Sequence, residues 1–201
     1  MTYNPESHHR RSIRIKGHDY SQAGAYFVTV CVKDRACLFG SITNGRMQLN
    51  LPGQMVTKWW FELPNKFCNV EVDEFVVMPN HIHGIIKIVG ADPGVNDDQI
   101  VGADLRVCPD GNDKHTETGE HTGSPLHRMV QWFKTMSTND YIRGINDHGW
   151  DRFNGKLWQR NYYEHIIRNN LELHAIREYI SHNPPGWDND DENPHMKGKD
   201  S

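Results

Sequence analysis

No apolar run in this 201-residue chain approaches the roughly 18 residues that a membrane-crossing helix needs. Cysteine is scarce: Cys31, Cys37, Cys68 and Cys108 show no Cys-x-x-Cys spacing, which argues against a zinc knuckle or a disulfide framework. The opening Met1-Thr2-Tyr3-Asn4-Pro5 lacks the charged-then-apolar pattern of a secretory signal, so the expected compartment is a reducing cytoplasm. A basic surplus is missing too, since the net charge is −4. That charge is unevenly spread, however. Residues 91–123 carry a net −6 and residues 186–201 a net −3, which leaves the rest of the chain at +5. A phosphate backbone is compatible with that remainder, though not demanded by it.

What is present reads as one α+β domain over residues 1–187, interrupted by an acidic insertion at about 90–124 and followed by an acidic tail, 188–201, expected to be disordered; the stretch Trp187–Glu192 either caps the active cleft or, the favoured reading, is solvated. Tyr26–Val32 alternates as a buried strand, and Asn44-Gly45 marks a tight hairpin turn because both residues tolerate positive φ. Val56, Trp59, Trp60 and Leu63 recur at helical spacing before Pro64, with the two tryptophans as core anchors. Val70–Val77 and His81–Val89 read as strands joined by the Met78-Pro79-Asn80 bend. The insertion is too poor in large apolar groups to order itself. A second helix runs from Leu126 to about Tyr141, a strand covers Leu157–Ile167, and a last helix spans Leu171–Asn183, stopped by Pro184-Pro185. The order predicts a sheet with helices packed on one face.

The chemistry concentrates in two places. On a strand, His81 and His83 share one face while Ile82 turns to the other, which makes half of a divalent-metal site. On the last helix, Tyr179 and Asn183 lie four residues apart on one face beside the Leu173, Ile176 and Ile180 stripe. A phenol is a weak nucleophile at neutral pH, its ordinary pKa being about 10. It attacks phosphorus when a cation neutralises the phosphate and the geometry is preset. Tyr162 and Tyr163 are rival nucleophiles, and His165 reads as a hydrogen-bonded structural residue with a further ligand or a proton shuttle as the other readings.

The pieces Arg11–Gly17, Ala25–Thr29, Met78-Pro79-Asn80-His81-Ile82-His83, Leu157–Arg168 and Tyr179-Ile180-x-x-Asn183-Pro184 resemble, in that order, the REP-associated tyrosine transposases, single-strand transposases with an HUH motif. The resemblance implies a ferredoxin-like antiparallel sheet with the histidine pair on a central strand. It further implies Mg²⁺ or Mn²⁺ held by His81, His83 and Asn183, the last standing where wider relatives carry a glutamine. Tyr179 is then the catalytic nucleophile on single-stranded DNA, giving a 5′-phosphotyrosine link and a free 3′-hydroxyl at hairpin-forming repeats. Arg10, Arg11, Arg14, Lys16, Arg160 and Arg168 become candidate DNA contacts, and the protein a nucleoid-associated monomer or homodimer. A non-cleaving binder of single-stranded hairpins is the rival reading, and a metal hydrolase of other phosphodiesters a third.

Overall fold

A computed structural model describes residues 23–89 and 125–195. Four strands form one antiparallel sheet: β1 (Gly24–Cys31), β4 (Val70–Val77), β5 (His81–Ile88) and β6 (Tyr163–Ile167), in the spatial order β4-β5-β1-β6. A small separate hairpin, β2 (Gly40–Thr43) and β3 (Arg46–Leu49), turns at Asn44-Gly45, where φ is +52° and +69°, the left-handed backbone that the dipeptide predicts. Helix α1 (Leu51–Phe61) is capped by the Asn50 side chain, which accepts from the Gly53 N–H at 2.9 Å, and a short α2 (Leu63–Lys66) follows. Helix α3 (Pro125–His148) leads into β6, and α4 (Asn170–His182) follows it. Leaving the hairpin aside, strand, helix, two strands, helix and strand in this spatial order make the ferredoxin-like arrangement.

The helices do not share one face of the sheet, as the sequence pattern suggested. Val28, Val30, Ile82 and Ile86 pack with Trp60 of α1 and Met129 and Phe133 of α3 in the main core. Phe27, Ile85 and Ile167 point the other way and pack with Ile176 and Ile180 of α4. Because β1 and β5 carry apolar residues on both faces, each face needs a cover, and α4 supplies the second. It covers only part of that face, which leaves the end of the strands carrying His81, His83 and Thr29 open to a cavity.

Two element bounds differ from the sequence expectation. The predicted strand 157–167 pairs only from Tyr163 onward, apart from a single bridge between Trp158 and Val32. The carbonyls of Gln159 and Asn161 instead accept from the Lys134 ammonium at 3.0 and 3.1 Å, so a buried cation from α3 takes the place of a strand partner. Burial pushes the Lys134 pKa down to about 8. Of the cysteines among the described residues, Cys31 and Cys37 are free and Cys68 is disulfide-bonded, which the cysteine spacing did not suggest.

Gly84, between His83 and Ile85, has no side chain because Trp60 occupies the space. A Cβ there would sit 2.3 Å from the indole. Gly84→Ala is expected to cost about 1–3 kcal/mol by overpacking, read as a melting temperature lower by several degrees.

Candidate metal and nucleophile site

Strand register sets the histidines. His81 lies opposite Cys31 and His83 opposite Thr29 across the β1–β5 pair, so both imidazoles emerge on the α4 side of the sheet while Ile82 enters the main core. Each ring is held at its outer nitrogen. Asn80 spends both amide hydrogens on the carbonyls of Arg35 (3.0 Å) and Glu192 (2.7 Å), so the atom it turns to His81 Nδ1, 2.9 Å away, is its oxygen. His81 Nδ1 must therefore carry the proton, which frees the Nε2 lone pair. His83 Nδ1 makes its hydrogen bond to the Thr29 hydroxyl at 2.8 Å. The two Nε2 atoms face each other 3.0 Å apart.

That separation is informative. Neighbouring ligands of an octahedral ion with bonds of about 2.1 Å stand about 3.0 Å apart. Asp190 completes a cluster in which one ligand atom from each of His81, His83 and Asp190 lies within 4.8 Å of the others, with the Asp190 carboxylate 3.9 Å from His81 Nε2. Burial lowers the His81 pKa to about 4 against the opposing pull of Asp190. Burial, reinforced by His81, holds His83 well below its ordinary value. Two neutral imidazoles and a carboxylate, with outer nitrogens already tied, suit a divalent cation.

Tyr179 comes from the opposite layer. Helix α4 projects its ring over Phe27, with centroids 5.9 Å apart in a T-shaped contact, and sets the hydroxyl 3.5 Å from His83 Nε2. Half the residue stays exposed to the cavity. Burial first and Asp190 second raise its pKa, while the Asn183 side chain one turn on opposes them by a hydrogen bond. Asn183 is itself buried, and its Oδ1 has no hydrogen-bond partner among the described residues. An orphaned acceptor on the wall of this cavity is the kind of group a cation or donor satisfies.

Among the described residues, the other sequence candidates are not members of this cluster. Arg160 is exposed on the 157–162 loop and lines neighbouring clefts, and Arg168 is exposed before α4. Arg10, Arg11, Arg14 and Lys16 lie outside the described residues. His165 holds Glu172 at 2.7 Å, and Glu172 in turn accepts from the Arg168 backbone N–H at the start of α4. Tyr162 packs against the main core beneath Lys134, and both Tyr162 and Tyr163 line the cavity.

Sequence reasoning missed Asp190, because the acidic segment after Pro184-Pro185 read as a solvated tail. As far as His195 that segment is instead packed. A 3-10 turn, Pro184–Asn189, buries Trp187 near His81, Glu192 pairs with Arg35 at 3.0 Å, and the Asn193 amide donates to the Trp187 carbonyl at 2.9 Å. The buried Trp187, an apolar residue inside an acidic run, was the signal available.

No family model matches the chain. Among solved structures, it is similar to a REP-associated tyrosine transposase bound to a REP hairpin at 17% identity and a TM-score of 0.48, over 85% of this chain and 73% of that one. It is also similar to a Deinococcus radiodurans R1 protein provisionally described as a transposase, at 13% identity and a TM-score of 0.41, over 84% of this chain and 96% of that one. In sequence it is 40% identical to an uncharacterized protein of Haemophilus influenzae Rd over 191 residues, 94% of this chain and 95% of that protein. The chain belongs to the same family as that Haemophilus protein.

Proposed function

We propose that the chain is a metal-dependent enzyme that cuts and rejoins single-stranded DNA at hairpin-forming repeats through a 5′-phosphotyrosine intermediate. The observation that carries the reading is the meeting of Tyr179 with the histidine pair: residues almost a hundred positions apart in sequence place a phenol 3.5 Å from an imidazole nitrogen that already faces the Nε2 of a second histidine. The ordered motifs of the resembling transposases fall on these same residues.

His81, His83 and Asp190 would hold the cation, with the Asn183 amide oxygen beside them. When bound, a divalent ion supplies positive charge that offsets the scissile phosphate and the carboxylate next to the phenol. Tyr179 attacks phosphorus; a Tyr–O–P bond forms, the bond from phosphorus to the 3′ oxygen breaks, and the phenolic proton passes through solvent to that leaving oxygen. Reversal by the same or another 3′-hydroxyl rejoins the strand without ATP. Phe27 and the α4 stripe hold the phenol at a fixed height over the sheet, which is the positioning such a step requires.

The test is incubation of the protein with a labelled single-stranded hairpin oligonucleotide and Mn²⁺. The expected result is a denaturant-resistant protein–DNA adduct together with a free 3′-hydroxyl fragment. Tight binding with no adduct would establish the non-cleaving reading instead, and free 5′-phosphate products with turnover would establish a hydrolase.

A further inference from the structure

The cavity beside the histidine pair encloses about 830 Å³, far more than a cation and one phenol occupy. Its wall away from the metal ligands has a distinct chemistry. Register places three residues in a row across the sheet on one face: His83 on β5 opposite Thr29 on β1, and Thr29 opposite Tyr163 on β6. Two strand spacings separate the ends of the row, about 10 Å, which is within the reach of one nucleotide from a phosphate held at the histidines. Tyr163 leans on Phe27 in a T-shaped contact, with ring centroids 6.2 Å apart, yet 45% of it remains exposed. Gln159, whose amide nitrogen donates to the Val32 carbonyl at 3.4 Å, and Asn161 line the same cavity.

A half-exposed aromatic ring braced by a second ring, with amides nearby, is how proteins hold an unpaired base. Stacking uses the ring face, and amides answer the hydrogen-bonding edge of the base. Phe27 covers only one side of Tyr163 and β6 is the edge strand of the sheet, so the rest of the ring is open to the cavity. We propose that Tyr163, with Gln159 and Asn161, forms a nucleobase subsite that holds the base next to the phosphate bound at His81 and His83. The inference rests on the DNA reading above and adds to it a protein-made contact to a base at the cleavage position.

The test uses the full-length chain in a Tyr179→Phe background with Mn²⁺, so that binding is measured without cutting. Fluorescence anisotropy compares two labelled oligonucleotides of equal length that share one hairpin, one with a single-stranded flank of ordinary bases and one with abasic sites throughout that flank. Tyr163→Ala is expected to weaken binding of the base-bearing strand about tenfold, while Tyr163→Phe keeps it within twofold and the abasic strand responds to neither substitution. Circular dichroism and melting confirm that each variant is folded, and Tyr163→Phe retains the contact with Phe27 whatever the fate of the alanine variant. Equal affinity of Tyr163→Ala and its parent for the base-bearing strand would overturn the subsite and leave the DNA reading standing. An equal loss on both strands would also overturn it, since a base contact cannot act where no base exists. Failure of the parent to bind either strand would overturn the DNA reading, and the subsite with it.

Discussion

Tyr179→Phe is expected to abolish the covalent adduct while leaving Mn²⁺ binding and protein stability within error of the parent. Only the hydroxyl is removed, and its contacts are a long one, 3.5 Å to His83 Nε2, and a hydrogen bond with the Asn183 side chain one turn on. The ring, which packs on Phe27 and His83, is kept. His83→Ala is expected to abolish the adduct by a different route. It removes one of the two facing imidazole nitrogens and lowers cation affinity by a factor of about 100, the upper range even for losses of supporting groups around a metal. The two variants therefore separate under one pair of measurements, isothermal titration with Mn²⁺ and adduct formation with a labelled hairpin. Adduct formation by Tyr179→Phe would remove Tyr179 from the nucleophile's role and return attention to Tyr162 and Tyr163, the rivals that line the same cavity. Unchanged Mn²⁺ affinity in His83→Ala would remove the histidine pair from the metal site.

Much of this site could be read in the sequence because its parts follow local periodicities. A strand forces His81 and His83 to one face, and a helix forces Tyr179 and Asn183 to one side, whatever the rest of the chain does. Asp190 obeys no such rule. It reaches the cluster because Arg35 grips Glu192 and Asn80 donates to the Glu192 carbonyl, contacts that join segments more than a hundred residues apart. The side of the sheet taken by α4 was hidden for a similar reason: the stripe Leu173, Ile176, Ile180 shows that the helix has a buried face but not which layer covers it. The clue lay in the strands, where Phe27 and Ile85 are apolar opposite Val28 and Ile82. The strand over 157–162 failed because periodicity cannot foresee that a lysine on another element will satisfy its carbonyls.

The height of the Tyr179 phenol over the sheet depends on an ion-pair junction two residues before it, and its removal is expected to damage adduct formation more than stability. Asp73 sits at the irregularity in β4 between Val72 and Phe75, where the strand loses register with β5. Its carboxylate, largely buried, accepts two hydrogen bonds from Arg177 of α4, from Nε at 2.7 Å and from Nη2 at 2.6 Å, and also pairs with Lys87 of β5. A bidentate guanidinium fixes angle as well as distance, so Arg177 sets the rotation and height of α4 just ahead of Tyr179. These hydrogen bonds, Arg177 foremost, hold the Asp73 carboxyl far below the usual carboxylate range, against the opposing effect of burial. Asp73→Asn keeps the shape and removes the charge. Stability is expected to fall by about 1–2 kcal/mol, a discounted value because both cations still reach solvent. Adduct formation is expected to fall by up to about 100-fold through displacement of the phenol, with Mn²⁺ affinity unchanged. Because the folded-state pKa is depressed, the stabilisation is fully present above the ordinary carboxylate pKa and drains away as pH drops below it toward the lowered value. Melting curves of parent and Asp73→Asn should therefore differ at neutral pH and converge in strong acid. A variant that lost stability at neutral pH but formed adduct at the parental rate would show that the junction only braces the fold, and that Tyr179 takes its place from the Phe27 contact alone.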